Sequence, residues 1–499
     1  MTGTLLGLDI GSSAVKGTLI DAASGKVLTR ATSPKTEMSI HAAQPGWAEQ
    51  HPDVWWEHVC NVIHQIGGET PNAVGALRAI GIAYQMHGLV LVDRDGAPVR
   101  PAIIWCDSRA VALGAGAFEA IGHDVCLSAF GNSPGNFTAA KLAWVKRNEP
   151  ENLSRAAYFM LPGDYIALRL TGRFGTTTSG LSEGVLWDFS KKTVATAVLS
   201  HFELPLSLVP PVGENIGAFA EIRAEVAREL GLPAGVAVTY RAGDQPNNAL
   251  ALNVLNPGEV AANAGTSGVV YGVTSELGVD PQSRVNNFLH VTSSTEAQRI
   301  GVLMCVNGAG SFYRWVKNTL SPSLSYEQLN ALAGNSPVGS NGLVALPYGN
   351  GAERTLGNLD IGASLSGIQL NRHTLADISR AAQEGVVFSL CYGIEIMQRM
   401  GLTPKRVRAA NANMFQSEVF RRSFANATGV PLDLYTTDGA EGAARGAGIG
   451  LGVFSPSEAY RGLQIDLTLE PEGGALREAT QQAYEHWKQL VAREATENR

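Results

Sequence analysis

A seven-residue pattern occurs twice in this chain, far apart, and it narrows the possible folds more than any other signal. Asp9-Ile-Gly-Ser-Ser-Ala-Val15 is matched by Asn263-Ala-Gly-Thr-Ser-Gly-Val269, with Gly11 over Gly265, Ser12 over Thr266, Ser13 over Ser267 and Val15 over Val269. Both copies read as apolar strand, Gly-hydroxyl-hydroxyl turn, apolar strand. Seven residues can coincide by chance, but each copy opens or nearly opens a region of domain size, which favours a duplicated unit. At 499 residues the chain also exceeds what one core serves, and about 150 residues per domain suggests two or three domains with a cleft between them. Asp9 becomes Asn263 in the second copy. One half therefore keeps a carboxylate for a metal or a proton, and the other keeps only an anion-binding turn.

Around these copies the pattern alternates strands with helices. Strands are expected at about Leu5 to Asp9, Val15 to Ile20 and Val27 to Thr32, an amphipathic helix at about Pro52 to Ile66, and strands again at Ala79 to Tyr84 and Leu89 to Val92. Helices follow at about Thr138 to Arg147 and Gly163 to Leu170. The stretch Leu230-Gly-Leu-Pro-Ala-Gly235 precedes an apolar strand from Val236, and the domain boundary is expected near residue 240, giving domains 1–240 and 241–499. Ile378, Ala382, Val386, Leu390, Ile394 and Met397 recur every three to four residues and predict one long helix from Leu375 to Met400. Asp438 to Gly450, rich in Gly and Ala, predicts a helix that packs closely on a sheet, and a terminal helix is expected from Glu472 to Glu497.

Composition removes several classes of function. Thirty-eight Lys and Arg against 45 Asp and Glu give a net charge of -7, which argues against a nucleic-acid binder that relies on bulk positive charge. No apolar run is long enough to span a bilayer and the first residues lack a signal-peptide pattern, so a cytoplasmic protein without membrane partners is expected. Cys60, Cys106, Cys126, Cys305 and Cys391 lie far apart with no Cys-x-x-Cys, and they read as reduced thiols. His51, His58 and His64 do not have the spacing of a helical zinc site, and no Gly-x-Ser-x-Gly flanked by a predicted strand and helix marks a nucleophile elbow.

Phosphate chemistry is what remains. Neither a Walker loop nor a complete Gly-x-Gly-x-x-Gly occurs, because Gly114-Ala-Gly116 and Gly308-Ala-Gly310 both fail at the third glycine. The paired turns, Gly11-Ser12-Ser13 with Lys16 and Gly265-Thr266-Ser267, offer clustered backbone N–H groups for anionic oxygens instead. Asp9 and Asp244 each close an apolar strand beside a glycine. Two carboxylates so placed could serve as base for an acceptor hydroxyl and as anchor for Mg²⁺.

The residues at this point resemble the FGGY family of carbohydrate kinases, and within it the xylulokinases. The resemblance rests on Leu6-Gly-Leu-Asp-Ile-Gly-Ser-Ser-Ala-Val-Lys-Gly17, Gly46-Trp-Ala-Glu-Gln-His-Pro-Asp-Val-Trp-Trp56, Gln85-Met-His-Gly88 and Pro101-Ala-Ile-Ile-Trp-Cys-Asp-Ser-Arg109. It continues through Ala242-Gly-Asp-Gln245, Asn263-Ala-Gly-Thr-Ser-Gly268 and Leu346-Pro-Tyr-Gly-Asn-Gly-Ala-Glu-Arg354, in order along most of the chain. It implies an α/β fold of two ribonuclease-H-like (actin-like ATPase) domains with a deep cleft, the first holding sugar and the second ATP.

Carried over by position, the resemblance makes Asp244 the general base and Asp9 an organiser of Mg²⁺, with both as candidate metal ligands. Met86, His87, Asp107, Asp244 and Gln245 would contact a ketose. Ser12, Ser13 and Lys16 would meet the transferring phosphate, and Gly265, Thr266, Gly310, Asn413 and Gln416 would hold the rest of the nucleotide. The adenosine motif departs from the family, since Arg408-Ala-Ala-Asn-Ala-Asn-Met-Phe-Gln-Ser417 stands where a run of glycines is usual. Cys106 replaces the usual Asn. The implied reaction is ATP-dependent phosphorylation of a ketose, D-xylulose foremost, by a homodimer. Another ketose such as ribulose, or a polyol, is the alternative acceptor. A non-catalytic nucleotide switch is the alternative class, against which the retention of both Asp9 and Asp244 counts.

Overall fold

A computed structural model describes residues 3–294 and 296–498. The first apolar stretches form a meander, β1 (Thr4–Ile10), β2 (Val15–Asp21) and β3 (Val27–Ser33), and α1 (Pro52–Glu69) leads on to β4 (Leu77–Tyr84). Helices α2 (Thr138–Asn148), α3 (Pro162–Thr171) and α4 (Thr178–Glu183) precede β5 (Ile216–Glu221) and β6 (Ala237–Gly243). These strands make a six-stranded sheet in the order β5-β6-β4-β1-β2-β3.

The chain then passes through α5 (Asp244–Ala251) into β7 (Glu259–Ala264), β8 (Gly268–Thr274), β9 (Asn286–Leu289) and β10 (Ile300–Val306). After α6 (Ala309–Leu320) and α7 (Leu375–Arg399) come β11 (Arg406–Ala410), β12 (Leu432–Tyr435), α8 (Gly439–Gly450), β13 (Ile465–Leu469) and α9 (Gly474–Glu497). The second sheet has the order β9-β10-β8-β7-β11-β12-β13.

The duplication is visible in the topology. In the first sheet β3, β2 and β1 pair antiparallel, β4 and β6 continue parallel to β1, and β5 closes antiparallel. In the second, β10, β8 and β7 pair antiparallel, β11 and β12 continue parallel, and β13 closes antiparallel, with β9 added outside β10. The two turns are not superposable residue for residue. Ile10 pairs with Val15 across a four-residue loop, whereas Ala264 pairs with Gly268 across three. Asp9 therefore faces Lys16, while Asn263 faces Val269. Val269 corresponds to Lys16 rather than to Val15, and the second copy lacks both charges of the pair.

Apolar alternation sets the packing of the first sheet. Leu6, Leu8 and Ile10 share a core with Trp55, Val59 and Val62 of α1, while Leu5 shares another with Ala444 and Ala447 of α8. Helix α8 lies almost on the strands: a Cβ at Gly7 would fall 1.8 Å from the Ala440 carbonyl oxygen, and one at Gly81 2.0 Å from that of Ala443. Thr239 Oγ1 also donates to the Ala447 carbonyl at 2.8 Å. The expected small-residue helix is thus present, packed on the first sheet although it lies in the last part of the chain. The strand after Gly235 likewise belongs to the first sheet, pairs with β4 and runs to Gly243, and the chain leaves that sheet through α5. The long helix forms over Leu375–Arg399, with Ala382, Val386, Leu390, Ile394 and Met397 buried against the second sheet.

Candidate active site

Strands β1, β4 and β6 are parallel neighbours in register, with Asp9 beside Ala83 and Ala83 beside Ala242. Whatever follows their last residues must emerge at one edge of the sheet, which is where open α/β sheets present ligand sites. Asp9, Gln85-Met86-His87-Gly88 and Asp244 are brought together in this way. The backbone N–H of Gln85 donates to the Ile10 carbonyl at 2.9 Å and fixes the start of the loop.

Asp244 is the first residue of α5, capped by Gly243. Burial drives its pKa up to about 7 and the Asp9 charge adds to this, while the Gln245 backbone N–H and side chain hydrogen-bond to it and pull the other way. Asp9 is also raised above the ordinary carboxylate range, first by burial, with Lys16 opposing and Asp438 reinforcing. Asp438 caps α8 by accepting the Glu441 N–H at 2.8 Å. Next to it only glycine fits: a Cβ at Gly439 would lie 2.7 Å from Asp9 Oδ2.

Met86 is buried and His87 adopts φ +62°, a conformation few non-glycine residues take. Three contacts impose it. His87 Nδ1 meets the Glu183 carbonyl at 2.9 Å, its N–H donates to Glu183 Oε1 at 3.4 Å, and its carbonyl accepts from Lys141 Nζ at 2.8 Å. A carbonyl can only accept, so the ring proton sits on Nδ1 and Nε2 is an acceptor. Burial lowers the His87 pKa to about 3, with nearby Lys141 and Arg354 assisting, and the ring is neutral. Phe137 meets it edge-on at 4.7 Å, and Phe288, from β9 of the second sheet, lies 5.4 Å away. Both sheets therefore contribute to the walls around His87.

Asp107, expected to face the ketose, is instead closed to solvent. Its Oδ2 accepts from the Ala48 N–H at 2.5 Å and Arg109 NH2 at 2.7 Å, and its Oδ1 from Arg109 N and Nε at 2.9 Å each. Arg109 reaches on to Glu49 at 2.7 Å and lies over the Trp47 ring at 3.8 Å. With both oxygens filled, Asp107 braces the loop that carries Trp105, and the side chain left to face outward is that half-exposed tryptophan, whose Nε1 donates to Ser12 Oγ at 3.3 Å.

Of the phosphate-turn residues, Ser12 is held by Gln50 Nε2 on its carbonyl at 2.7 Å, and Ser13 and Lys16 are exposed. In the second sheet, Gly310 N and Ser311 N, at the start of α6, donate to the carbonyls of Gly265 and Thr266 at 3.0 Å each. A Cβ at Gly310 would stand 2.0 Å from the Gly265 oxygen, so glycine here lets a helix N-terminus abut the turn. Asn413 reaches the same turn, with its Nδ2 3.5 Å from where a Gly265 Cβ would be. Gln416 lies further along and lines a cavity of about 920 Å³ with Tyr326, Asn330 and Arg421. The second-sheet candidates thus gather at one turn except for Gln416.

The sequence motifs assign no role to Glu183, Lys141, Trp105 or Asp438, although Trp105 stands within the Pro101–Arg109 motif. Glu183 and Lys141 leave a signal all the same, since each is a lone charge inside a run of small or apolar residues. Among the described residues no group of three His, Cys, Asp or Glu side chains could hold a metal ion unaided. Two repelling carboxylates with raised pKa values do suit a hard cation that takes its remaining ligands from phosphate and water, as Mg²⁺ does.

The sequence matches the N-terminal domain of the FGGY family of carbohydrate kinases over residues 4–251 and its C-terminal domain over residues 260–453. The chain belongs to the FGGY family. It is 31% identical to a xylulose kinase of Staphylococcus epidermidis over 80% of this chain and 77% of that one. It is 29% identical to a xylulose kinase of Escherichia coli over 89% and 88%. The crystal structure of xylulose kinase from Rhodospirillum rubrum superposes with a TM-score of 0.88 at 25% identity, covering 98% of both chains. This FGGY kinase therefore has the two-domain actin-like fold and phosphorylates a sugar with ATP. Among its described residues no helix is long and apolar enough to cross a membrane.

Proposed function

We propose that this FGGY kinase converts D-xylulose to D-xylulose 5-phosphate, with Asp244 as general base. The observation that carries the reading is the Asp244 carboxyl itself, poised at about 7 on the sheet edge shared with the Met86-His87 loop. A base so tuned is ionised often enough at neutral pH and still holds a proton well. The xylulose kinases of S. epidermidis and E. coli to which the chain is similar support the choice of sugar.

In this reading the ketose lies against Met86, and its hydroxyls donate to Nε2 of His87. Asp244 takes the proton of the attacking hydroxyl. The amides of the Gly11 turn and Lys16 stabilise charge on the transferring phosphoryl group, and the Gly265-Thr266 turn holds the remaining phosphates. Asp9 and Asp244 would hold Mg²⁺, which supplies charge neutralisation to the phosphates. Closure over bound sugar excludes water and limits wasteful hydrolysis.

The test is ADP release with MgATP against D-xylulose, D-ribulose, L-ribulose, L-xylulose, D-fructose, glycerol and no sugar. A strong preference for D-xylulose is expected. Turnover of another acceptor alone would replace the sugar and keep the chemistry, and ADP release indifferent to every sugar would overturn the reading in favour of a nucleotide switch.

A further inference from the structure

Glu183 is the most unusual carboxyl in the first lobe outside the residues already assigned. It is 1% exposed at the end of α4 and makes no ion pair among the described residues. Burying an unpaired carboxyl is costly, so its retention needs a reason. Its contacts supply one. Oε1 accepts the N–H of His87 at 3.4 Å, and its own backbone carbonyl takes His87 Nδ1 at 2.9 Å, so a single residue grips the histidine at two points. Among the described residues Oε2 has no hydrogen-bond partner. It is pressed instead against the turn that presents Asp244: a Cβ added at Gly243 would lie 2.4 Å from Oε2 and 2.5 Å from Met86 Cγ. Glycine at 243 is what lets Glu183 and Met86 come so close to that turn. Leu289 of the second sheet also donates its N–H to Ser182 Oγ at 2.9 Å, which pins the end of α4 from the other side.

We infer that Glu183 is a positioning residue, a wedge between the Met86-His87 loop and the Gly243-Asp244 turn that sets the distance between sugar and base through the length of its side chain. The inference rests on the reading of that loop as the sugar-binding loop. His87 at φ +62° does not hold this conformation by itself, and Glu183 and Lys141 are the side chains that fix its backbone. What matters is reach. A residue of equal length with an acceptor oxygen should replace Glu183, and a shorter carboxylate should not.

The experiment compares Glu183→Gln with Glu183→Asp in steady-state kinetics, using whichever acceptor the wild-type enzyme phosphorylates. A wrong sugar identity then counts against the proposed function and leaves this comparison intact. Glu183→Gln keeps length and the bond to the His87 N–H, and its sugar KM is expected within about threefold of wild type. Glu183→Asp keeps the carboxyl group but draws back by one methylene, and its sugar KM is expected to rise by about tenfold or more, with ATP KM unchanged. Thermal melting accompanies both, and if Glu183→Asp does not fold, Glu183→Ala takes its place with the same expectation. A wild-type sugar KM in the shortened variant, an equal loss in both variants, or a loss shared by sugar and ATP KM would each overturn the inference.

Discussion

Asp9 near the end of β1 and Asp244 just past the end of β6 are separated by β4 alone, and the Asp9 charge adds to burial in keeping Asp244 from ionising at its ordinary pKa. Because Asp9 raises Asp244, the acidic limb of kcat/KM is expected near pH 7 and should move to lower pH in Asp9→Asn, whatever the loss in absolute rate. A limb that stays in place in that variant would separate the two carboxylates.

Asp244→Asn should lower turnover by about 10² to 10⁴ while sugar binding persists. Its effect on stability has the opposite sign. A carboxyl whose pKa rises from 3.8 to about 7 on folding contributes stability that is complete below 3.8 and lost as pH rises through 7. The Asn variant should therefore melt above wild type at pH 8 and alongside it at pH 3.5. Melting curves at the two pH values, with titration calorimetry for sugar, check both halves.

Gly310→Ala places a methyl where the Gly265 carbonyl already stands. The helix start and the turn must separate, and ATP KM should rise by about tenfold or more while sugar KM is untouched. Initial rates with each substrate varied in turn decide this.

Arg109 makes the ion pair with buried Asp107, and it also pairs with Glu49. Its replacement by Ala leaves buried Asp107 without its ion pair, at a cost of about 3–5 kcal/mol, while Glu49 keeps Arg100. Denaturant unfolding should show the loss, and Asp107→Asn added to Arg109→Ala should recover part of it.

Much of this architecture was legible in the chain because it is local. The meander, α1 and the long α7 announce themselves by periodicity, and the Gly-hydroxyl-hydroxyl pattern located both turns. Asp9 and Asp244 were legible for the same reason, since a strand followed by an acidic residue beside glycine is a local signal. The remainder depends on pairing between distant segments. Asp107 looks like a sugar ligand until Arg109 and the Ala48 N–H are brought to it, and Glu183 acquires meaning only when α4 meets His87. Alignment without gaps put Val15 over Val269. The ladders correct this by one residue, because loop length is invisible to a pattern that counts positions.

The placement of α8 bears on how the protein is made. The first sheet leaves the ribosome early, but the helix that covers its Gly7 and Gly81 face ends at Gly450. Until then that face has no cover, and an N-terminal half expressed alone would display it as a sticky, unfinished surface. Synthesis and folding thus run in different orders here, and a nascent chain needs its last segments, or a chaperone in their stead, before its first lobe is whole.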